Sequence, residues 1–210
     1  MARLVALHAG GQRSPWQSIG LTCDESTCRL SDVVVIFDGD SPGLTSWTLD
    51  IGRDEVISVD GIPTTLVSGS TSLSSVSPIG GQRIVGLDHV VVNTDDIERT
   101  CAAITETLGL DVRRERQLGN GAVQRFHKLD NTIIEVVTGP HISTPGASLW
   151  GMVVSVDDLF DLCEELGDDK TSPPKKATQP GRYISTIRSH VGLGVPFALM
   201  TPHVSGMATS

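Results

Sequence analysis

Leu87-Asp88-His89-Val90-Val91-Val92-Asn93-Thr94-Asp95-Asp96-Ile97 decides how the rest of the chain is read. A β-branched run carrying one histidine passes into Asn, Thr and Asp, side chains that cap helix N-termini, and then into Ile97, Cys101, Ile104 and Leu108 at helical spacing. The pattern predicts a strand feeding a helix. Past Leu108-Gly109-Leu110 come three strand-like runs, Asp111 to Arg116, Ala122 to Leu129 and Thr132 to Val137, separated by Gly119-Asn120-Gly121 and Asp130-Asn131 turn signals. The unit is therefore βαβββ.

The unit then recurs. Val90 to Ile97 aligns with Met152 to Leu159, and at the same offset of 62 Cys101 falls on Cys163 and Ile104 on Leu166. The second copy continues through a loop from Gly167 to Pro180, whose adjacent prolines end any helix, into strands Tyr183 to Arg188 and Val195 to Thr201. This order, with His89 in the first strand and Glu135 in the last of the first unit, resembles the vicinal oxygen chelate superfamily over residues 84 to 202. That superfamily includes glyoxalase I, methylmalonyl-CoA epimerase, extradiol dioxygenases and the fosfomycin and bleomycin resistance proteins. The resemblance implies an α+β fold in which paired βαβββ modules form a curved, cup-like mixed sheet. It also implies that the first and last strands of each module supply one metal ligand apiece.

Residues 1–82 read less clearly. Val33 to Gly39 lies over Ile133 to Gly139 at an offset of 100, and Ile19-Gly20-Leu21 over Leu108-Gly109-Leu110. Residues 1–51 are accordingly expected to form a shortened module plus the opening strand of its partner, with Val35 where a last-strand carboxylate would sit. Ser68 to Pro78 has linker composition. The expected division is an N-terminal module and linker at 1–82, a two-module region at 83–203 and a polar tail at 204–210.

A formal charge of −9 and a pI near 5.0 argue against a non-specific nucleic-acid partner, which needs a basic surface. No run of 18 apolar residues is present, and the first residues lack a signal-peptide pattern, so a cytoplasmic protein without a membrane partner is expected. Cys101 and Cys163 fall on apolar helical stripes. Cys23 and Cys28 could form a disulfide only in an oxidising compartment, which nothing else in the sequence suggests.

His89 and Glu135 are the candidate chemical residues, either as a metal-binding pair, an acid/base pair or a polar anchor for a ligand. Period-two alternation puts His89 with Leu87 and Val91, and Glu135 with Ile133 and Val137. Alignment with the family pattern places Gly151 and Leu199 where the second module's ligands would be, and neither can bind a metal. No resident cofactor is therefore expected. A zinc, nickel, iron or manganese ion would need completion from His127, His190, His8 or a second subunit. Phe126, His127 and Trp150 are candidates to line the ligand cavity, and Arg182 and Arg188, six residues apart, could present two guanidinium groups on one face. Three classes of function remain: a metal-independent binder of a small molecule, a lyase, isomerase or dioxygenase with a completed metal site, and an interaction module. The resemblance implies a small-molecule partner, and its pairing of modules between chains makes a homodimer the expected oligomer.

Overall fold

The computed structural model describes residues 2–69 and 83–203. The N-terminal half runs β1 (Arg3–Gly10), α1 (Ser14–Gln17), β2 (Thr27–Leu30), β3 (Val33–Gly39), β4 (Gly43–Asp50), β5 (Glu55–Val59) and β6 (Ile62–Val67). These strands form one six-stranded sheet in the order β2-β3-β1-β4-β6-β5. It contains two shortened modules: β3 lies parallel to β1, as β6 does to β4, and β1 and β4 meet antiparallel at the centre. The sequence reading stopped at β4; β5 and β6 extend the second copy. Most of the serine-rich stretch from Ser68 to Pro78, and all of the tail from residue 204, lie outside the described residues.

The C-terminal half repeats the plan in full. Its first module is β7 (Ile84–Thr94), α2 (Ile97–Leu108), β8 (Val112–Gln117), β9 (Val123–Lys128) and β10 (Ile133–Thr138). Its second is β11 (Ala147–Val156), α3 (Leu159–Lys170), β12 (Lys175–Lys176), β13 (Tyr183–Thr186) and β14 (Phe197–Met200). Together they make an eight-stranded sheet, β12-β13-β14-β11-β7-β10-β9-β8, in which β7 and β11 pair antiparallel and each first strand pairs parallel with the last strand of its own module. The α+β fold of paired modules is as the sequence implied.

Local chemistry explains the helix boundaries. Asp96 caps α2 by accepting a hydrogen bond from the Arg99 amide at 3.1 Å, and Gly109 ends it with φ of 68°, a left-handed conformation that disfavours a side chain. Helix α3 has no such cap, and Gly167 breaks its regular geometry with φ of 77° and ψ of 165°.

One core joins the halves. Val90 and Val92 on β7 point away from the cup and pack in the same apolar cluster as Leu7, Val35 and Trp47 of the N-terminal sheet. Trp16 of α1 is fully buried and meets Phe37 and Phe197 edge-on, with ring centroids 5.5 and 5.6 Å away, so it bridges both sheets. Polar contacts fix the register between halves. The Asn131 side chain donates to the Leu4 carbonyl at 2.9 Å and accepts from the Leu4 amide at 3.0 Å, while Arg99 donates to Asp60 at 2.7 Å. The position matching Glu135 in the N-terminal sheet is Val35, buried in this core.

Cys101 and Cys163 are buried free thiols, as their helical positions predicted. Cys23 and Cys28 face one another across a narrow turn with Cα atoms 4.0 Å apart, and are joined as a disulfide.

Candidate functional site

β-Bulges shape the cup. On β7, Val153 of β11 pairs with His89 and Val154 with Leu87, so Asp88 is an extra residue. A bulge interrupts strict alternation and re-aims side chains. Asp88 therefore reaches the same side as His89, while Leu87 turns into the core, against the expectation that it would share the face of His89. Trp150 is the extra residue of β11 and Arg113 that of β8.

His89 stands between two carboxylates. Its Nδ1 lies 2.8 Å from Asp88 Oδ1 and its Nε2 3.2 Å from Glu135 Oε2. The side chains of His89 and Glu135 are each 11% exposed. Glu135 also accepts from the side-chain amide of Gln124, diagonally placed on the neighbouring strand β9, and Asp88 is ion-paired with Arg182, with side chains 4% and 2% exposed. Arg182 further donates from Nε to the Thr201 carbonyl at 2.7 Å, and Ser155 donates to Asp88 at 3.2 Å. A continuous polar chain thus runs from Arg182 through Asp88, His89 and Glu135 to Gln124.

The ionisation states follow from the surroundings. Burial alone would push the Asp88 carboxyl up, but hydrogen bonds and charges from His89 and Arg182 outweigh it and hold the group below the ordinary carboxylate range. Burial pushes the Glu135 carboxyl up, only partly offset by the charges of His89 and Arg116. An ionised Asp88 can only accept, so Nδ1 of His89 is the donor of that pair. Nε2 faces the Glu135 carboxyl, and this contact is favourable when a proton lies between the two groups. The raised Glu135 value works in the direction that retains that proton.

Opposite pH signatures result. Asp88, depressed below its ordinary value of 3.8, contributes stability above that value that is lost as the folded carboxyl protonates. Glu135, raised above 4.5, contributes stability below that value that is lost as pH rises through its folded value. Urea unfolding of the wild type between about pH 5 and pH 2 is therefore expected to show a falling midpoint. In Asp88→Asn the fall should be shallower; equal slopes in both proteins would contradict the assignment.

The cup itself encloses about 610 Å³. It is lined by His89, Val91 and Asn93 of β7, Glu135 and Val137 of β10, Trp150, Met152 and Val153 of β11 and Ala198 of β14. A second cavity of about 350 Å³ shares His89 with it and is bordered by Asp88, Arg114, Arg116, Phe126 and Lys128 on one side and Thr178 to Pro180 on the other. The strands and loops that meet there come from opposite ends of the eight-stranded sheet, which curls until its margins face.

The other sequence candidates separate. Phe126 and half-exposed Trp150 lie at the two cavities. The Arg182 guanidinium is committed to the buried chain, and Arg188 is not on the same face. With β13 ending at Thr186, Arg188 turns to the carbonyls of Asp168 and Thr171. His127 borders the second cavity but directs Nδ1 to the Leu110 carbonyl at 2.7 Å, and burial pushes its pKa down. His190 pairs with exposed Asp169, and His8 with Asp38 and Thr48 in the N-terminal sheet. None of these three approaches the His89–Glu135 pair in the hydrogen-bond network.

The family positions of the second module carry no metal donor. Glu135 pairs with Val91, two residues beyond His89; in the second module Val153, two beyond Gly151, pairs with Ala198. The counterpart of Glu135 is thus Ala198, whereas Leu199 belongs to the core. At Gly151 an added Cβ would stand 2.5 Å from the Pro196 carbonyl oxygen and 3.0 Å from Pro196 Cβ. Both His89 nitrogens are already engaged by carboxylates, and among the described residues no group of three or more His, Cys, Asp or Glu is arranged to hold an ion. This donor set does not fit a divalent metal held in the family manner.

Sequence reasoning missed Asp88, Gln124, Ser155 and the arginines of β8. The Asp-His adjacency was visible, but alternation assigned the two side chains to opposite faces.

A cup of paired βαβββ modules, with an imidazole from a first strand meeting a carboxylate from a last strand, defines a class of protein. The profile of the Glyoxalase/Bleomycin resistance protein/Dioxygenase superfamily matches residues 86–192, and the chain belongs to that superfamily. Similar solved structures include methylmalonyl-CoA epimerase from Mycobacterium tuberculosis, 18% identical, with a TM-score of 0.48 over 58% of this chain and 90% of that one. A methylmalonyl-CoA epimerase in complex with methylmalonyl-CoA and NH4+ is 13% identical, with a TM-score of 0.48 over 58% and 96% of the two chains. A hypothetical protein from Bacillus halodurans is 15% identical, with a TM-score of 0.48 over 57% and 96%. No curated protein sequence gives a significant match. Among the described residues no helix is long and apolar enough to cross a membrane.

Proposed function

We propose that this protein binds a small, partly apolar molecule in the cup without a resident metal, using His89 and Glu135 as the polar anchor. The observation that carries this reading is the pairing of His89 Nε2 with Glu135 at 3.2 Å, in a cup whose two further ligand positions are Gly151 and Ala198. An apolar concavity with a few convergent polar groups is the usual form of a small-molecule site. The hydrogen-bonded chain through Asp88 favours a second reading, proton transfer. With Asp88 fixing the imidazole through Nδ1, Nε2 and Glu135 hold one proton that can be delivered to or taken from a bound molecule.

A thermal-shift screen of small organic molecules in excess chelator tests the first reading. Stabilisation by an organic ligand is expected, and His89→Ala should weaken it at least about tenfold, the loss of one good charge-assisted hydrogen bond. Metal analysis is the counter-test. Near-stoichiometric zinc, nickel, iron or manganese in purified protein, lost on His89→Ala, would overturn the metal-independent reading. Turnover of a bound compound, with a pH profile altered by Asp88→Asn, would favour proton transfer over simple binding.

A further inference from the structure

Arg113, Arg114 and Arg116 have no hydrogen-bond or ion-pair partner among the described residues, and neither has Lys128. Other arginines engage one, including Arg3 with Asp32, Arg83 with Glu165, Arg99 with Asp60, Arg125 with Glu98 and Glu115, and Arg188 with backbone carbonyls. In a chain of formal charge −9, with acids available to pair the other arginines, these four cations gather at one cavity. Among the described residues its lining holds one acid, Asp88, already committed to Arg182 and His89.

The backbone creates the cluster. The bulge at Arg113 lets successive residues Arg113 and Arg114 both border the cavity, Arg114 sits opposite Phe126, and Arg116 opposite Gln124, which holds Glu135. Two bulged strands thus contribute adjacent pairs to the same space: Asp88 with His89, and Arg113 with Arg114. His89 is the wall this basic cavity shares with the apolar cup. Unpaired guanidinium groups at a concave site are suited to bidentate capture of a carboxylate or phosphate.

We infer that the ligand is an organic anion whose charged group docks on Arg114, Arg116 and Lys128 while its apolar body lies in the cup against Val91, Val137 and Trp150. The inference rests on the small-molecule reading above and names the class of molecule that site takes. It places the junction between charged head and apolar body beside His89 and Glu135.

Isothermal titration of the full chain with octanoate, octyl phosphate, 1-octanol and inorganic phosphate tests it. At least one of the two amphipathic anions should bind, more weakly as salt rises, and the stronger of the two identifies carboxylate or phosphate as the head group. Arg114→Gln, Arg116→Gln and Lys128→Gln, all at side chains outside the core, should each weaken it about tenfold, as expected for a charge-assisted hydrogen bond. Octanol bound as tightly as the anions, or anion binding untouched by all three substitutions, would overturn the anion assignment and leave the cup standing. Inorganic phosphate bound as well as octyl phosphate would overturn the two-part placement. Failure of all four probes would overturn this inference, while the broader screen in chelator still judges the cup.

Discussion

Asp88→Ala is expected to lower folding stability by about 3–5 kcal/mol, because it leaves the Arg182 guanidinium buried without its counter-charge. Arg182 is 2% exposed at its side chain, and its remaining contacts, the Thr201 carbonyl, Ser155 Oγ and His203, supply no negative charge. The reverse truncation, Arg182→Ala, should cost a similar amount by stranding Asp88. Removing both charges at once is the informative comparison. A double variant Asp88→Asn, Arg182→Met should be less destabilised than the sum of the single changes, since neither residue then retains an uncompensated charge. Equilibrium urea unfolding gives all the terms. A loss below about 1 kcal/mol in either single alanine variant would mean that the pair behaves as a solvated surface bridge, and that the polar chain behind His89 is not a buried network.

Trp16→Ala should have an effect of the same order, about 3–5 kcal/mol, for a different reason. Its indole is fully buried between Phe37 of the N-terminal sheet and Phe197 of β14, so truncation opens a cavity at the seam of the two halves. The whole chain should still unfold in one transition, because Val90, Val92, Leu7 and Trp47 share the same core. Two resolved transitions in the variant, with the C-terminal half outlasting the N-terminal, would show that the seam is less integral than its packing implies. A mild change to Phe at this position should recover much of the loss.

The βαβββ order was legible because it rests on strong local signals: a period-two run into a capped helix, glycine at the helix end, and Asn-Gly and Asp-Asn turns. The recurrence at 62 residues held through β11 and α3. It slipped by the end of the second module, where the short helical turn at Ser189–Val191 and the Gly192 and Gly194 bends change the spacing, and Ala198 rather than Leu199 became the counterpart of Glu135. Bulges were the larger obstacle. Nothing in Leu87-Asp88-His89 shows that two consecutive side chains share a face, because a bulge depends on which partner residues β11 offers. Arg182 was equally unreadable: a charged residue at the start of a strand looks like a solvated edge until its tertiary partner Asp88 is known. Strands β5 and β6 escaped notice because Val56 is 81% exposed and the outer strand has only a weak alternation.

Gly151 bears on what evolution can do next with this scaffold. Selection for a metal-dependent reaction would ordinarily begin with a single substitution that regains one ligand and a trace of activity. Here every non-glycine side chain at position 151 meets the Pro196 backbone at its first carbon, before any donor atom is reached. A histidine codon alone would therefore burden folding without supplying an imidazole to the cup. The segment carrying Pro196, which leads into β14, must first be displaced, a change with no catalytic advantage of its own. A donor at position 151 is thus closed off by a steric ratchet in the backbone, which no single substitution at that position releases.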